Sequence, residues 1–217
     1  MTLNRSFPRR AGLAAALVVA SLLGACAPML VGGAVVGGSL MATDRRSAGA
    51  QVDDQVIEVK AGNALSELLV ERAHVNVTSY NRMVLLTGEV PTEADKAAVT
   101  KAVSQIETVR SIVNDLAVMP NSSLSDRSND SLITGKVKAE FVGASDLSTN
   151  SIKVVTERGV VFLMGLVTET EAKRAVEITR GVGGVQKVVR VFQIVTAADV
   201  AAKPPGAPAS AASAAKP

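Results

Sequence analysis

Two stretches of the chain carry the same pattern of apolar and polar positions. "RMVLLTGEVPTEADKAAV", from Arg82, and "GVVFLMGLVTETEAKRAV", from Gly159, align at a spacing of 77, matching Val84, Leu86, Gly88, Val90, Lys96, Ala98 and Val99 with Val161, Leu163, Gly165, Val167, Lys173, Ala175 and Val176. After one deleted residue, Ile106, Val109, Ile112, Val113 and Leu116 meet Val182, Val185, Val188, Val189 and Phe192 at a spacing of 76. The chain is an internal duplication, one structural unit written twice.

Within each copy the period changes in the same order. Residues 54–72 and 130–141 place apolar side chains at helical spacing, as in Ile133, Val137 and Phe141. "VNVTSY" from Val75 and "IKVVTE" from Ile152 then alternate, as strands with two different faces do. A two-residue turn, Asn81-Arg82 or Arg158-Gly159, leads into a second strand, so the pair predicts a hairpin. Residues 92–103 and 169–180 return to a helical period with acids early, where the helix dipole favours them. A last strand, 110–118 or 187–195, closes the unit. The expected class is α+β: two tandem domains, each αββαβ, with a three-stranded mixed sheet packed on two helices.

Gly88 and Gly165 recur inside the second strand, where glycine weakens pairing, so both are structural residues at a close approach of a helix or another backbone; a bulge is the other reading. "GVGGV" at Gly181 lacks GxGxxG spacing and reads as a helix stop. Domain boundaries follow at 51–119 and 129–196, with a polar linker at 120–128. The turn-rich linker predicts domains that fold alone yet lie close enough to pack. The Ala/Pro-rich segment 197–217 cannot bury a core and reads as disordered. With no tryptophan, one tyrosine and four phenylalanines, the cores are aliphatic.

The first 25 residues hold Arg5, Arg9 and Arg10, an apolar run and small residues at Gly24 and Ala25, the pattern of a secretory signal. The single cysteine, Cys26, follows in Leu23-Gly24-Ala25-Cys26, which resembles a bacterial lipobox; this implies cleavage before Cys26, its acylation, and a glycine-rich tether over 26–50. A transmembrane helix is the competing reading, weakened by Gly32, Gly33, Gly37 and Gly38. By resemblance to lipoprotein sorting signals, Ala27 after the cysteine favours the outer membrane, with the chain lipid-anchored on its periplasmic face.

Removing three of the 23 basic residues with the signal leaves 20 against 20 acidic, so the mature chain is neutral and no nucleic-acid partner is expected. The copies differ: residues 51–119 hold six basic and ten acidic residues, residues 129–196 nine and seven. No catalytic constellation, metal site or cofactor is expected, because the thiol is taken as acylated and His74 reads as an ordinary residue at the end of the first helix, without a visible partner. In the basic copy, the segment from Leu132 to Phe141 is amphipathic. Ile133, Val137 and Phe141 are read as core, Leu132 as the candidate for membrane contact, and Lys136 and Lys138 as solvated cations.

Ile133-Thr134 with Val137-Lys138, then Gly165, Ala175 and Gly184-Val185, resemble the BON domain pattern, the first copy more loosely. Lipobox, tether and two such domains together resemble the tandem-BON outer-membrane lipoproteins of Gram-negative bacteria. The resemblance implies that the second domain binds anionic phospholipid, notably phosphatidylglycerol, through its first helix, with Leu132, Lys136 and Lys138 as the lipid-binding residues, and supports envelope integrity, including at division sites. Leu132 stands where the family often has an aromatic residue. The alternative is a periplasmic adaptor that docks an envelope assembly factor or a regulator of cell-wall enzymes.

Overall fold

The apolar runs of the two second strands explain the architecture. In the computed structural model, which describes residues 44–69 and 72–202, those strands are β2 (Met83–Val90) and β6 (Val160–Val167), and β2 is buried at every position. Val84 and Leu86 point toward the helices α1 (Ala48–Leu69) and α2 (Glu93–Ser104), while Met83 and Leu85 point the other way. In the second copy Val161 and Leu163 face α3 (Leu124–Gly143) and α4 (Glu169–Arg180), and Phe162 and Met164 face away. The two outward faces meet: Tyr80, Met83, Leu85, Phe162, Met164 and Val191 form one apolar cluster between the sheets. The result is four layers, helices, sheet, sheet, helices, and the described residues of both copies belong to one compact unit. A strand covered on both sides reads as a continuous apolar run rather than an alternation.

Each sheet is mixed. β1 (His74–Tyr80) pairs antiparallel with β2, which pairs in parallel with β3 (Ser111–Asn114) and β4 (Ala117–Val118), two parts of one strand interrupted at Asp115 and Leu116. β5 (Ile152–Glu157) pairs antiparallel with β6, and β7 (Lys187–Ile194) runs parallel to β6 without a break.

Both hairpins turn on two residues of positive φ, Asn81 and Arg82 in one, Arg158 and Gly159 in the other. Such turns match the twist of the strands but strain residues other than glycine. Each is held by a buried aspartate of the preceding helix. Asp54 accepts from the Asn81 and Arg82 amides, both at 2.7 Å, and Asp130 from the Arg158 and Gly159 amides, both at 2.8 Å.

Four expectations need correction. The first helices begin at Ala48 and Leu124, upstream of the anticipated 54 and 130, because those aspartates are interior positions aimed at the turns rather than helix starts. Residues 124–128 of the expected linker are therefore helical, and a capping box of Ser123 and Asp126 starts α3. The end of the expected tether is bound in place: Arg46 donates to Asp44 and Asp54 and lies 4.2 Å from the Tyr80 ring centroid. Beyond residue 196, the expected disordered segment opens with a short helix, α5 (Ala197–Ala202), capped by Thr196 with Asp199. Cys26, the signal, most of the tether and residues 203–217 lie outside the described residues.

Arg45 ties the segment before α1 to the second domain. Its two terminal nitrogens donate to Glu171 at 2.8 and 2.7 Å, and one also reaches the Leu166 carbonyl at 3.0 Å. The Arg45 hydrogen bonds hold the Glu171 carboxyl at about 2, below its ordinary 4.5. A carboxyl depressed by folding stabilises the fold above its unfolded pKa and stops doing so as pH falls through the folded one. Arg45→Met is therefore expected to lower Tm at pH 7 by on the order of 5 °C. Melts at descending pH should show the gap between wild type and variant closing between pH 4.5 and about 2.

Candidate functional site

Helix α3 sorts its side chains by direction. Ile133, Val137 and Phe141 are at most 1% exposed and fill the core of the second domain, whereas Leu132 is 64% exposed. A helix turns about 100° per residue. On that wheel Leu132, Gly135, Ala139 and Val142 share one outward strip, with Lys136 bordering it on one side and Lys138 on the other. Val142, just beyond the amphipathic segment that ends at Phe141, is 75% exposed and adds a second apolar side chain to the strip. Both lysines are exposed, and neither has an ion-pair or hydrogen-bond partner among the described residues. Glu140, one turn beyond Lys136, is also exposed and partly offsets it.

Beside the C-terminal half of this helix lies an open groove of about 390 Å³, lined by Lys138, Val142, Thr149, Lys153 and Arg46 among others. Lys153 is paired with Glu58 at 2.8 Å and Arg46 with Asp44 and Asp54, which leaves Lys138 as the cation there without an acidic partner among the described residues. An apolar strip between cations that form no ion pair among the described residues is suited to a surface that is apolar within and anionic at its face. None of the described helices is long and apolar enough to cross a membrane.

The two repeated glycines lie far from this helix's outward face, inside the sheets. Gly88 has a φ of 112°, and a Cβ there would sit 2.0 Å from the His74 carbonyl oxygen. A Cβ on Gly165 would sit 2.4 Å from the Ser151 carbonyl oxygen. The approaching backbone in both cases belongs to the antiparallel neighbour, Val75 opposite Gly88 and Ile152 opposite Gly165.

A second polar group, which sequence reading missed, lies at one edge of the layer between the sheets. His74 is the first residue of β1, not the end of a helix, and it has partners: its Nδ1 is 3.1 Å from Glu89 Oε2 and 3.9 Å from Glu157 Oε1. Glu89 is fully buried on β2, and Arg158 of the second domain donates to its other oxygen at 3.0 Å. Burial opposes ionisation of Glu89, but the Ser122 amide, Arg158, the Ser122 hydroxyl and His74 together hold its pKa below the ordinary glutamate value. No local spacing signals this group, since Glu89 and Arg158 are 69 residues apart.

Two BON domains in tandem define the class. The BON domain family model matches residues 53–120 and 129–196, and the chain belongs to that family. Over 183 residues, 81% of this chain and 94% of the relative, it is 36% identical to Outer membrane lipoprotein DolP of Haemophilus influenzae. It is 37% identical over 154 residues to the 21 kDa hemolysin of Actinobacillus pleuropneumoniae, covering 70% of this chain and 79% of that one. It is 30% identical over 141 residues to Osmotically-inducible protein Y of Escherichia coli, covering 63% and 70%. With two BON domains and similarity of this extent, the chain is a dual-BON-domain outer-membrane lipoprotein.

Proposed function

We propose that the protein is a non-enzymatic lipoprotein, held on the periplasmic face of the outer membrane by an acylated Cys26, whose second BON domain binds anionic phospholipid such as phosphatidylglycerol through α3. In this role it supports envelope integrity, including at division sites. The observation that carries the reading is the outward strip of Leu132 and Val142 between Lys136 and Lys138, two cations without acidic partners among the described residues. The similarity to a named outer membrane lipoprotein supports the location. Each cation near an anionic surface contributes about 1 kcal/mol, and a shallowly inserted apolar side chain adds to it.

Flotation of the protein with phosphatidylglycerol vesicles tests this. Lys136→Glu with Lys138→Glu exchanges two attractive terms for two repulsive ones, a change of up to about 4 kcal/mol at low salt, so binding is expected to fall by up to about a thousandfold. Leu132→Trp is expected to strengthen binding at unchanged Tm, by supplying an interfacial aromatic. Undiminished flotation of the double variant would remove α3 as the lipid site and move a second reading ahead. That reading is an adaptor for an envelope protein, and one observation favours it: Val52, Val56 and Val59, spaced as one face of α1, are 58%, 39% and 63% exposed.

A further inference from the structure

His74, Glu89 and Glu157 come from three strands and two domains, yet each offers a metal-ligand atom within 4.8 Å of the others. Both carboxylates are buried, and Arg158 is the only permanent cation paired with either among the described residues. It meets Glu89 through Oε1, so the Oε2 atom that faces His74 is left to Ser122 and the imidazole. Glu157 is less compensated still. Its Oε2 accepts from the Asn76 amide at 2.9 Å, and the side chain borders a small open cavity that His74 also lines. Its Oε1 lies 3.9 Å from His74 Nδ1. Two carboxylates whose oxygens lie this close repel one another, so the group favours a cation held between them.

We propose that these three side chains form a divalent metal site of the zinc type that staples the two BON domains together. Zinc takes imidazole nitrogen and carboxylate oxygen at about 2.0–2.1 Å in tetrahedral sites, which puts neighbouring ligand atoms about 3.3 Å apart. The two His74 distances, 3.1 and 3.9 Å, bracket that edge, and all three ligand atoms lie within 4.8 Å of one another, so binding requires the side chains to draw together. The ion takes the place of the proton that Nδ1 donates to Glu89; the ring proton moves to Nε2, which gives up the hydrogen bond it accepts from the Asn76 amide. A cavity of about 140 Å³, lined by His74, Asp130, Thr134, Thr156 and Glu157 among others, opens onto the group and has room for a water as the fourth ligand. Two carboxylates and Arg158 sum to one negative charge, which a divalent ion more than offsets. Glu157 alone comes from the second domain, so the ion joins the domains only through it.

Zn²⁺ titrated calorimetrically into the chelator-treated full-length protein is expected to show one saturable site per chain. Excess Zn²⁺ at about a hundred times Kd should raise Tm by roughly 5–10 °C. Glu157→Gln, nearly isosteric, and His74→Ala are each expected to weaken binding by more than about tenfold, the effect that loss of even an outer partner reaches. Circular dichroism of the metal-free variants shows whether they remain folded, and Glu157→Gln tests the site even where His74→Ala does not fold. Absence of saturable Zn²⁺ binding by wild type, or equal binding by a folded Glu157→Gln protein, would overturn the proposal. Zinc binding needs nothing of the outward face of α3, so neither outcome bears on lipid recognition.

Discussion

Phe162→Asp is expected to part the two domains and return the chain's single tyrosine to ordinary behaviour. Phe162 is fully buried in the apolar layer between the sheets, and its loss alone costs about 3–5 kcal/mol. A carboxylate there must also be desolvated or protonated, which adds several kcal/mol more. Each domain retains a separate core against its own helices, so the strain is relieved by separation rather than by loss of both folds. Tyr80 reports the event. It is 2% exposed, donates to the Ser151 carbonyl across the layer at 3.0 Å, and burial pushes its phenol up to about 12 from 10. With the layer opened, phenolate absorbance is expected to rise with a midpoint near 10, while far-UV circular dichroism retains most of its native amplitude. A variant whose tyrosine still titrates near 12 would show that Phe162 does not hold the sheets together.

What could be read from the chain differs by the range of the signal. The hairpins, α4 and the order αββαβ follow from local periodicity that the chain repeats at a fixed spacing. The starts of α1 and α3 are not legible in the apolar spacing from which the ranges 54–72 and 130–141 follow, because the first turns of both helices carry little of that stripe. The recurrence of Asp54 and Asp130 at a spacing of 76 beside an apolar stripe was the available sign that they serve a buried, shared purpose. The continuous runs "MVLLTGEV" and "VVFLMGLV" likewise announced burial on both faces, but not that the second cover is the other sheet. Lys136, Lys138 and Leu132 were separable from the core stripe by helical spacing alone. The His74, Glu89 and Glu157 group was not, because it exists only once the two sheets face each other.

Gly88→Val is expected to be among the most destabilising single changes in the first domain, and more costly than Gly165→Val. Two penalties act at Gly88. Its φ of 112° lies where residues with a side chain are strained, at about 1–3 kcal/mol. Its new Cβ would also lie 2.0 Å from the His74 oxygen and 3.0 Å from the His74 carbonyl carbon, which are backbone atoms of a paired strand and cannot rotate aside. At Gly165 the φ is not of this strained kind, and the approach, though close at 2.4 Å to the Ser151 oxygen, is somewhat longer. The added methyls of valine enlarge both clashes, so the expected losses are above about 4 kcal/mol for Gly88→Val and about 2–3 kcal/mol for Gly165→Val. Relief at Gly88 requires β1 to peel from β2 at the Val75–Gly88 and His74–Glu89 pairs. Amide hydrogen exchange should therefore quicken first at that end of the hairpin while the turn held by Asp54 stays protected. Denaturant midpoints of the two variants decide the order: equal losses would mean that the strained φ of Gly88 contributes nothing, and that close backbone approach alone requires glycine at both positions.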